Sequence, residues 1–198
     1  MSADATRAEI VAAADGLFYR QGYEHTSFAD IAGAVQISRG NFYYHFRAKD
    51  EILEAVILAR LQKTQAMLDR WEEIGETPQA RIQSFIYILI VNRTDIKRYG
   101  CPVGTLTSEL AKLGHSAQDD ANKLFSLFRA WLCRQFKLLG RKDADALALH
   151  LLARSQGVAT LANAIKDEDF IRREVLELDA WLHEIVDDVR LPRRTRKS

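Results

Sequence analysis

The chain has 198 residues, 47% of them apolar and 28% charged, with a formal net charge of +1. That length supports a sizeable core, in one domain or in a small domain followed by a larger one, and the near-neutral balance excludes a uniformly basic nucleic-acid binder. No apolar run approaches the roughly 20 residues of a membrane span and the N-terminus lacks a signal-peptide pattern. Two cysteines, Cys101 and Cys133, make neither a disulfide framework nor a zinc site, so a reduced cytoplasmic location with no membrane partner is expected.

In chain order, every element reads as helix. Residues 6–21 carry Ile10, Ala13, Ala14, Leu17 and Phe18 on one stripe and stop near Gly22, a frequent terminator. Ser27 followed three residues later by Asp30 marks a second helix start, and Phe28, Ile31, Ala32 and Val35 then form a buried stripe. Ser38 offers a third N-cap. Behind it, Phe42 and Phe46 are four apart and predicted to pack inward together, which leaves Arg39, Asn41, Tyr43, Tyr44 and His45 around the remaining surface. A short helix with Arg, Asn and aromatic hydroxyls on its outer side makes a poor core element. It suits a DNA major groove, where Arg binds guanine, Asn binds adenine, and Tyr, His and Lys reach phosphates.

Residues 51–71 read as a long helix. Thr77-Pro78 is a clean helix opening, with Thr as N-cap and Pro at the first position, before a nearly all-apolar run containing Ile82, Phe85, Ile86, Ile88, Leu89, Ile90 and Val91. Residues 99–102 break the pattern, 103–113 form a short helix ending at Gly114, and 119–139 follow with Leu124, Phe128, Trp131, Leu132 and Phe136. The last two helices, 143–166 and 169–189, look like an interface. The first mixes Leu147, Leu151 and Leu152 with small residues such as Ala159, which allow close approach. The second repeats Ile171, Val175, Leu178, Leu182 and Ile185 at steps of four and three.

Residues 7–53 resemble the helix-turn-helix domain of the TetR family of bacterial transcriptional regulators. Gly22, Thr26-Ser27, Ile31-Ala32, Ser38, Gly40, Tyr43, His45-Phe46, Lys49 and Leu53 all stand at that family's spacing. The resemblance implies an all-α fold of about nine helices: a three-helix DNA-binding domain (1–48), a larger helical effector-binding and dimerisation domain (49–189) and a basic tail (190–198). It implies a homodimer on a palindromic double-stranded operator, with half-sites about 34–36 Å apart, no cofactor, and repression lifted by a small-molecule effector that shifts a conformational equilibrium through the helix at 51–71. The expected DNA contacts are Thr26, Ser27, Ser38, Arg39, Gly40, Asn41, Tyr43, Tyr44, His45 and Lys49. The expected dimer interface is Leu147, Leu151, Ala159, Ile171, Val175, Leu178, Leu182 and Ile185. One position departs from the family: where glycine is usual in the turn between the two helices, this chain has Gln36, which predicts either slight strain of about 1 kcal/mol or a different backbone path.

Composition alone argues against DNA at this end, since residues 1–55 contain five Lys/Arg and eight Asp/Glu, a net −3. The arrangement restores the reading, because Arg39, Arg47 and Lys49 cluster at the third helix. In the larger domain, Phe85, Tyr87, Phe128, Trp131, His150 and Gln156 are candidates to line an effector pocket, with core packing as the alternative for each. Cys101 precedes Pro102 at a helix start, where N–H groups and the dipole favour a thiolate, so it joins the pocket candidates and opens an alternative: a redox- or electrophile-sensing regulator. Five cations in 190–197 read as a solvated end. Glycine-rich phosphate loops, His-Glu-x-x-His and Gly-x-Ser-x-Gly are all missing, so catalysis is not expected.

Overall fold

A computed structural model describes residues 3–190, with side chains through Asp188; apart from the backbone of Arg190, the expected basic tail lies outside the described residues. The described residues form ten helices and no strand: α1 (Ala3–Gln21), α2 (Phe28–Val35), α3 (Arg39–His45), α4 (Lys49–Ile74), α5 (Pro78–Val91), α6 (Arg93–Tyr99), α7 (Pro102–Leu113), α8 (Gln118–Leu138), α9 (Ala144–Ile165) and α10 (Glu168–Arg190). The nine expected from periodicity are there. The additional one, α6, arises because α5 stops at Asn92, whose backbone N–H and side-chain amide both donate to the Ile88 carbonyl, at 3.1 and 2.9 Å. An Asn that bonds the preceding turn in this way competes with helix continuation.

The described chain divides into two compact units. One comprises residues 3–66 and 101–125, so α7 and the start of α8 belong with α1, α2, α3 and most of α4. Its core is continuous: Ile10, Ala14 and Phe18 of α1, Ile31 of α2, Phe42 of α3, Phe46, and Ile52, Leu53 and Val56 of α4 pack with Leu106 and Leu110 of α7 and with Ala117 and Ala121. The near-total exclusion of these side chains from water is the main stabilising term for so small a unit. Arg60, itself buried, ties α1 to α7: Nε donates to Asp15 at 2.6 Å and Nη1 to the Pro102 carbonyl at 2.5 Å.

The second unit comprises residues 67–100 and 126–190. α5 packs against α10, α6 against α9, and α9 against α10. Thr77 caps α5 as its position before Pro78 predicts, accepting from the Ala80 N–H at 3.1 Å. Phe85 meets Phe128 edge-on at 5.5 Å, and Trp71 lies 5.7 Å from Trp131. Among the described residues no helix is long and apolar enough to cross a membrane.

Candidate nucleic-acid interface

The second and third helices are set by their caps. Ser27 Oγ accepts from the Asp30 N–H at 3.1 Å, while the Ser27 N–H donates to Asp30 Oδ2 at 2.8 Å, closing a capping box. The same backbone bond, then the Ser27 hydroxyl, holds the Asp30 carboxyl below the usual carboxylate range. α2 ends at Gln36, which sits in the left-handed region at φ 53°, ψ 37°, its N–H donating to the Gly33 carbonyl at 3.3 Å. The turn therefore keeps the left-handed geometry that glycine serves elsewhere and accepts the strain. Ser38 then caps α3, accepting from the Asn41 N–H at 3.3 Å.

Two rings fix the roll of α3. Phe42 and Phe46 are both buried to 1% exposure, as their spacing predicts. That leaves Arg39, Gly40 and Asn41 exposed, with Tyr43 at 54% and Tyr44 at 77% exposure. Tyr43 is not free to wander, because its ring stacks on Phe28 of α2 at 5.6 Å and 22°. His45 is half-buried, with its ring 5.1 Å from that of Tyr44. A cleft of about 490 Å³ runs beside the pair, with Gln36, Arg39 and Tyr43 on its walls. Arg47 is exposed just beyond α3, its backbone N–H donating to Glu51. A rigid helix edge with one guanidinium, one carboxamide and two phenols matches what major-groove reading requires.

Two expected contacts have other roles in the structure. Thr26 is buried, and its hydroxyl donates to the Gly22 carbonyl at 2.6 Å, which closes the α1–α2 loop and removes the group from the surface. Lys49 is half-buried and donates to the Tyr23 carbonyl at 2.9 Å and the Glu24 carbonyl at 3.3 Å, with Nζ 4.2 Å above the Tyr23 ring. Two of its three donors hold that loop. Tyr23 is buried under it and donates its hydroxyl to Asp50. Burial first, and the Asp50 bond next, push the phenol well above its ordinary pKa.

The model of bacterial regulatory proteins of the tetR family matches residues 10–56, which span the last turns of α1 through the start of α4. The HTH-type transcriptional regulator TtgR of Pseudomonas putida is 27% identical over 98% of this chain and 96% of its own length. The crystal structure of a TetR transcriptional regulator from Legionella pneumophila superposes with a TM-score of 0.78 at 27% identity, covering 87% of this chain and 95% of that one. Residues 10–56 carry the TetR-family DNA-binding segment. An uncharacterised HTH-type transcriptional regulator of Lactococcus lactis is 29% identical over 82% of the chain and 85% of its own length, so the likeness reaches well past the helix-turn-helix domain.

The expected dimer face needs correction for most of its residues. Leu151, Ala159, Ile171, Val175, Leu178 and Leu182 are all buried within the chain's own second unit, at 2% exposure or less, and Leu147 and Ile185 are half-buried. The six buried side chains build the core that joins α9 to its neighbours and offer no surface to a second copy, whereas Leu147 and Ile185 keep part of theirs. The outward side of α9 carries a different ridge: Leu149, Ala153, Gly157, Leu161 and Ile165, four residues apart and all exposed. A Cβ added at Gly157 would meet nothing within 4 Å. On α10, Leu176 is 67% exposed.

The structure brings Phe85 and Phe128 together and gives the other expected pocket residues differing surroundings. Phe85, Phe128 and Trp131 are buried core of the second unit, whereas Tyr87 is largely exposed. His150 is exposed and lies against Trp181 at 5.1 Å, and Gln156 is half-buried. Cys101 belongs to the first unit, where its Sγ caps α7 by accepting from the Gly104 N–H at 3.5 Å. Glu109 and His115 carry no mark in the sequence pattern, although both touch the α1–α2 loop. Glu109 follows Tyr23 by 86 residues, and no local spacing points to that contact.

Proposed function

We propose that this TetR-family regulator is a homodimeric repressor that binds a palindromic operator through α3 and leaves it when a small-molecule effector fills the larger domain. The observation that carries the reading is the outer edge of α3: Arg39, Asn41, Tyr43 and Tyr44 face solvent over the locked Phe42–Phe46 pair. Ser27, Ser38, Gly40 and His45 complete the proposed contacts, the two serines through caps that aim helix N-termini at phosphates. Thr26 and Lys49 act indirectly, by shaping the loop before α2.

Dimerisation is supported by the α9 ridge. Large residues at its ends and small ones at Ala153 and Gly157 allow two such ridges to interlock at the steep crossing angle of four-residue rows, and burying Leu149, Leu161 and Ile165 against a second copy removes apolar surface from water. Aromatic side chains of the second unit, with Phe85 and Phe128 foremost, support an effector with apolar surface.

The test is fluorescence anisotropy with the DNA upstream of the chain's own coding sequence. Tight binding that weakens steeply with salt is expected, with Arg39→Ala and Asn41→Ala reducing preference for the operator over scrambled DNA. No preference in the wild type at low salt would sink the reading.

A further inference from the structure

The α1–α2 loop is gripped from two sides. Glu109, on α7, accepts from two consecutive backbone N–H groups, Tyr23 N at Oε2 and Glu24 N at Oε1, each at 2.9 Å. Lys49, on α4, donates to the carbonyls of those same two residues. Gly22 stands at φ 92°, and a Cβ there would lie 2.9 Å from Glu109 Oε1. A side chain at residue 22 would press on the carboxylate, so glycine leaves Glu109 its present place against the loop. Beneath the loop, the Tyr23 ring is wedged against Phe18 at 5.3 Å and His115 at 5.1 Å, while His115 Nδ1 accepts from the Ala117 N–H at 3.1 Å. The loop delivers the chain to Ser27, the cap on which α2 begins.

We infer that Glu109 is a positioning residue for DNA reading: from outside the family-matched segment, its carboxylate fixes the loop that orients the α2–α3 pair. A charge-assisted bidentate grip on two adjacent N–H groups defines a direction as well as a distance, and removing it leaves the part-buried Tyr23 N–H without its acceptor and frees the exposed Glu24 N–H to water. The loop then relaxes, and α3 presents Arg39 and Asn41 over a range of angles instead of one. Since base readout falls off within tenths of an ångström of misplacement while phosphate attraction does not, operator binding suffers and non-specific binding is spared. α7 is thereby part of the reading head, although it follows α3 by more than fifty residues in sequence.

The inference rests on the DNA-binding reading, and charge makes its test two-signed. Glu109→Gln removes a negative charge, which by electrostatics alone strengthens attraction to DNA. Positioning predicts the opposite for the operator: about tenfold weaker binding to the upstream DNA, unchanged or tighter binding to scrambled DNA, and an unchanged salt slope. Glu109→Asp keeps the charge but withdraws it by one methylene, and is expected to weaken operator binding by a similar factor, which settles the matter should the Gln variant fold poorly. Amide hydrogen exchange without DNA supplies a separate reading, with faster exchange expected at Tyr23 and Glu24 and none at Ile10 or Ala14 in the head core. Operator affinity equal to or above wild type in both variants, or unchanged exchange at Tyr23 and Glu24, overturns the inference. A wild-type protein that ignores the upstream DNA while the exchange result holds overturns the operator proposal and leaves the grip established as structural only.

Discussion

Replacing Gln36 by glycine should make the head more stable. A left-handed backbone costs an L-residue about 1–2 kcal/mol relative to the right-handed one, and Gln36 occupies it at φ 53°. Glycine removes that cost but returns about 0.4–1 kcal/mol through its greater freedom in the unfolded chain, leaving a net gain of about 0.5–1 kcal/mol. The hydrogen bond of the capping N–H, Gln36 N to the Gly33 carbonyl, survives the change. All three tryptophans, Trp71, Trp131 and Trp181, lie in the second unit, so indole fluorescence is blind to the effect. Hydrogen exchange at the Ile31 and Phe42 amides reads it directly, with protection expected to rise about two- to fivefold. Gln36→Val should move the other way by more than about 1 kcal/mol, since a β-branched residue tolerates positive φ worst. Lys166, at φ 56° in the second unit, is the internal comparison. Its change to glycine should gain less, because its ammonium donates to the Lys97 and Arg98 carbonyls. If Gln36→Gly protects nothing and Gln36→Val is harmless, the strain assigned to this turn is absent.

Other perturbations separate groups that read DNA from groups that shape the reader. Arg39→Ala is expected to cost about 1–3 kcal/mol of operator binding and to relax preference at one position per half-site, scored by anisotropy with single-base variants. Arg47→Ala should weaken all sequences alike and lower the salt slope by about one, whereas Lys49→Met should also loosen the α1–α2 loop, seen as faster exchange at Thr26. Leu161→Glu, on the exposed α9 ridge, should give folded monomers in sedimentation, while Leu178→Glu, in the core, should unfold the second unit. Tyr23 sets an alkaline limit. Its folded-state pKa is raised, so the stability it contributes is full below the ordinary phenol value of about 10 and is lost as pH climbs beyond it; Tyr23→Phe should flatten that limb of the head's stability curve. Glu72 does the reverse in the second unit, where the Arg134 guanidinium, through its hydrogen bond, holds the carboxyl below the usual range. Glu72→Gln should therefore blunt the stability loss below about pH 4.5, followed by tryptophan fluorescence.

What can be read from the letters is what is local. The Ser27–Asp30 box, the Thr77 cap and the inward Phe42–Phe46 pair each involve residues three or four apart, where helix geometry leaves one arrangement. Periodicity also announces that α9 and α10 bury apolar stripes. It does not say against what, since α9 has two such stripes: one holding Leu151 and Ala159, the other Leu149, Leu161 and Ile165. The richer one looks like a partner face and is in fact spent on the chain's own core. Thr26 and Lys49 fit the family's spacing, but their hydrogen-bond partners lie in a loop whose path no pattern encodes. The pocket candidates rest on chemistry alone, and aromatic chemistry does not reveal which rings converge. Acidic surplus misleads in the other direction: Asp15, Asp30, Asp50 and Glu51 are each engaged inside the first unit, with Arg60, Ser27, Tyr23 and the Arg47 backbone.

The caps and rings that hold α3 in place share a single member, Tyr43, with the side chains on its outer edge. Ser27, Asp30, Ser38, Phe42 and Phe46 build the mount, and Arg39, Asn41 and Tyr44 occupy it. Substitutions at the second set can change which bases are preferred without any toll on folding, so descendants of this chain are free to drift toward new targets on an inherited frame. Tyr43 is the exception: stacked on Phe28, it belongs to both sets, and a lineage that alters it must renegotiate fold and target at once.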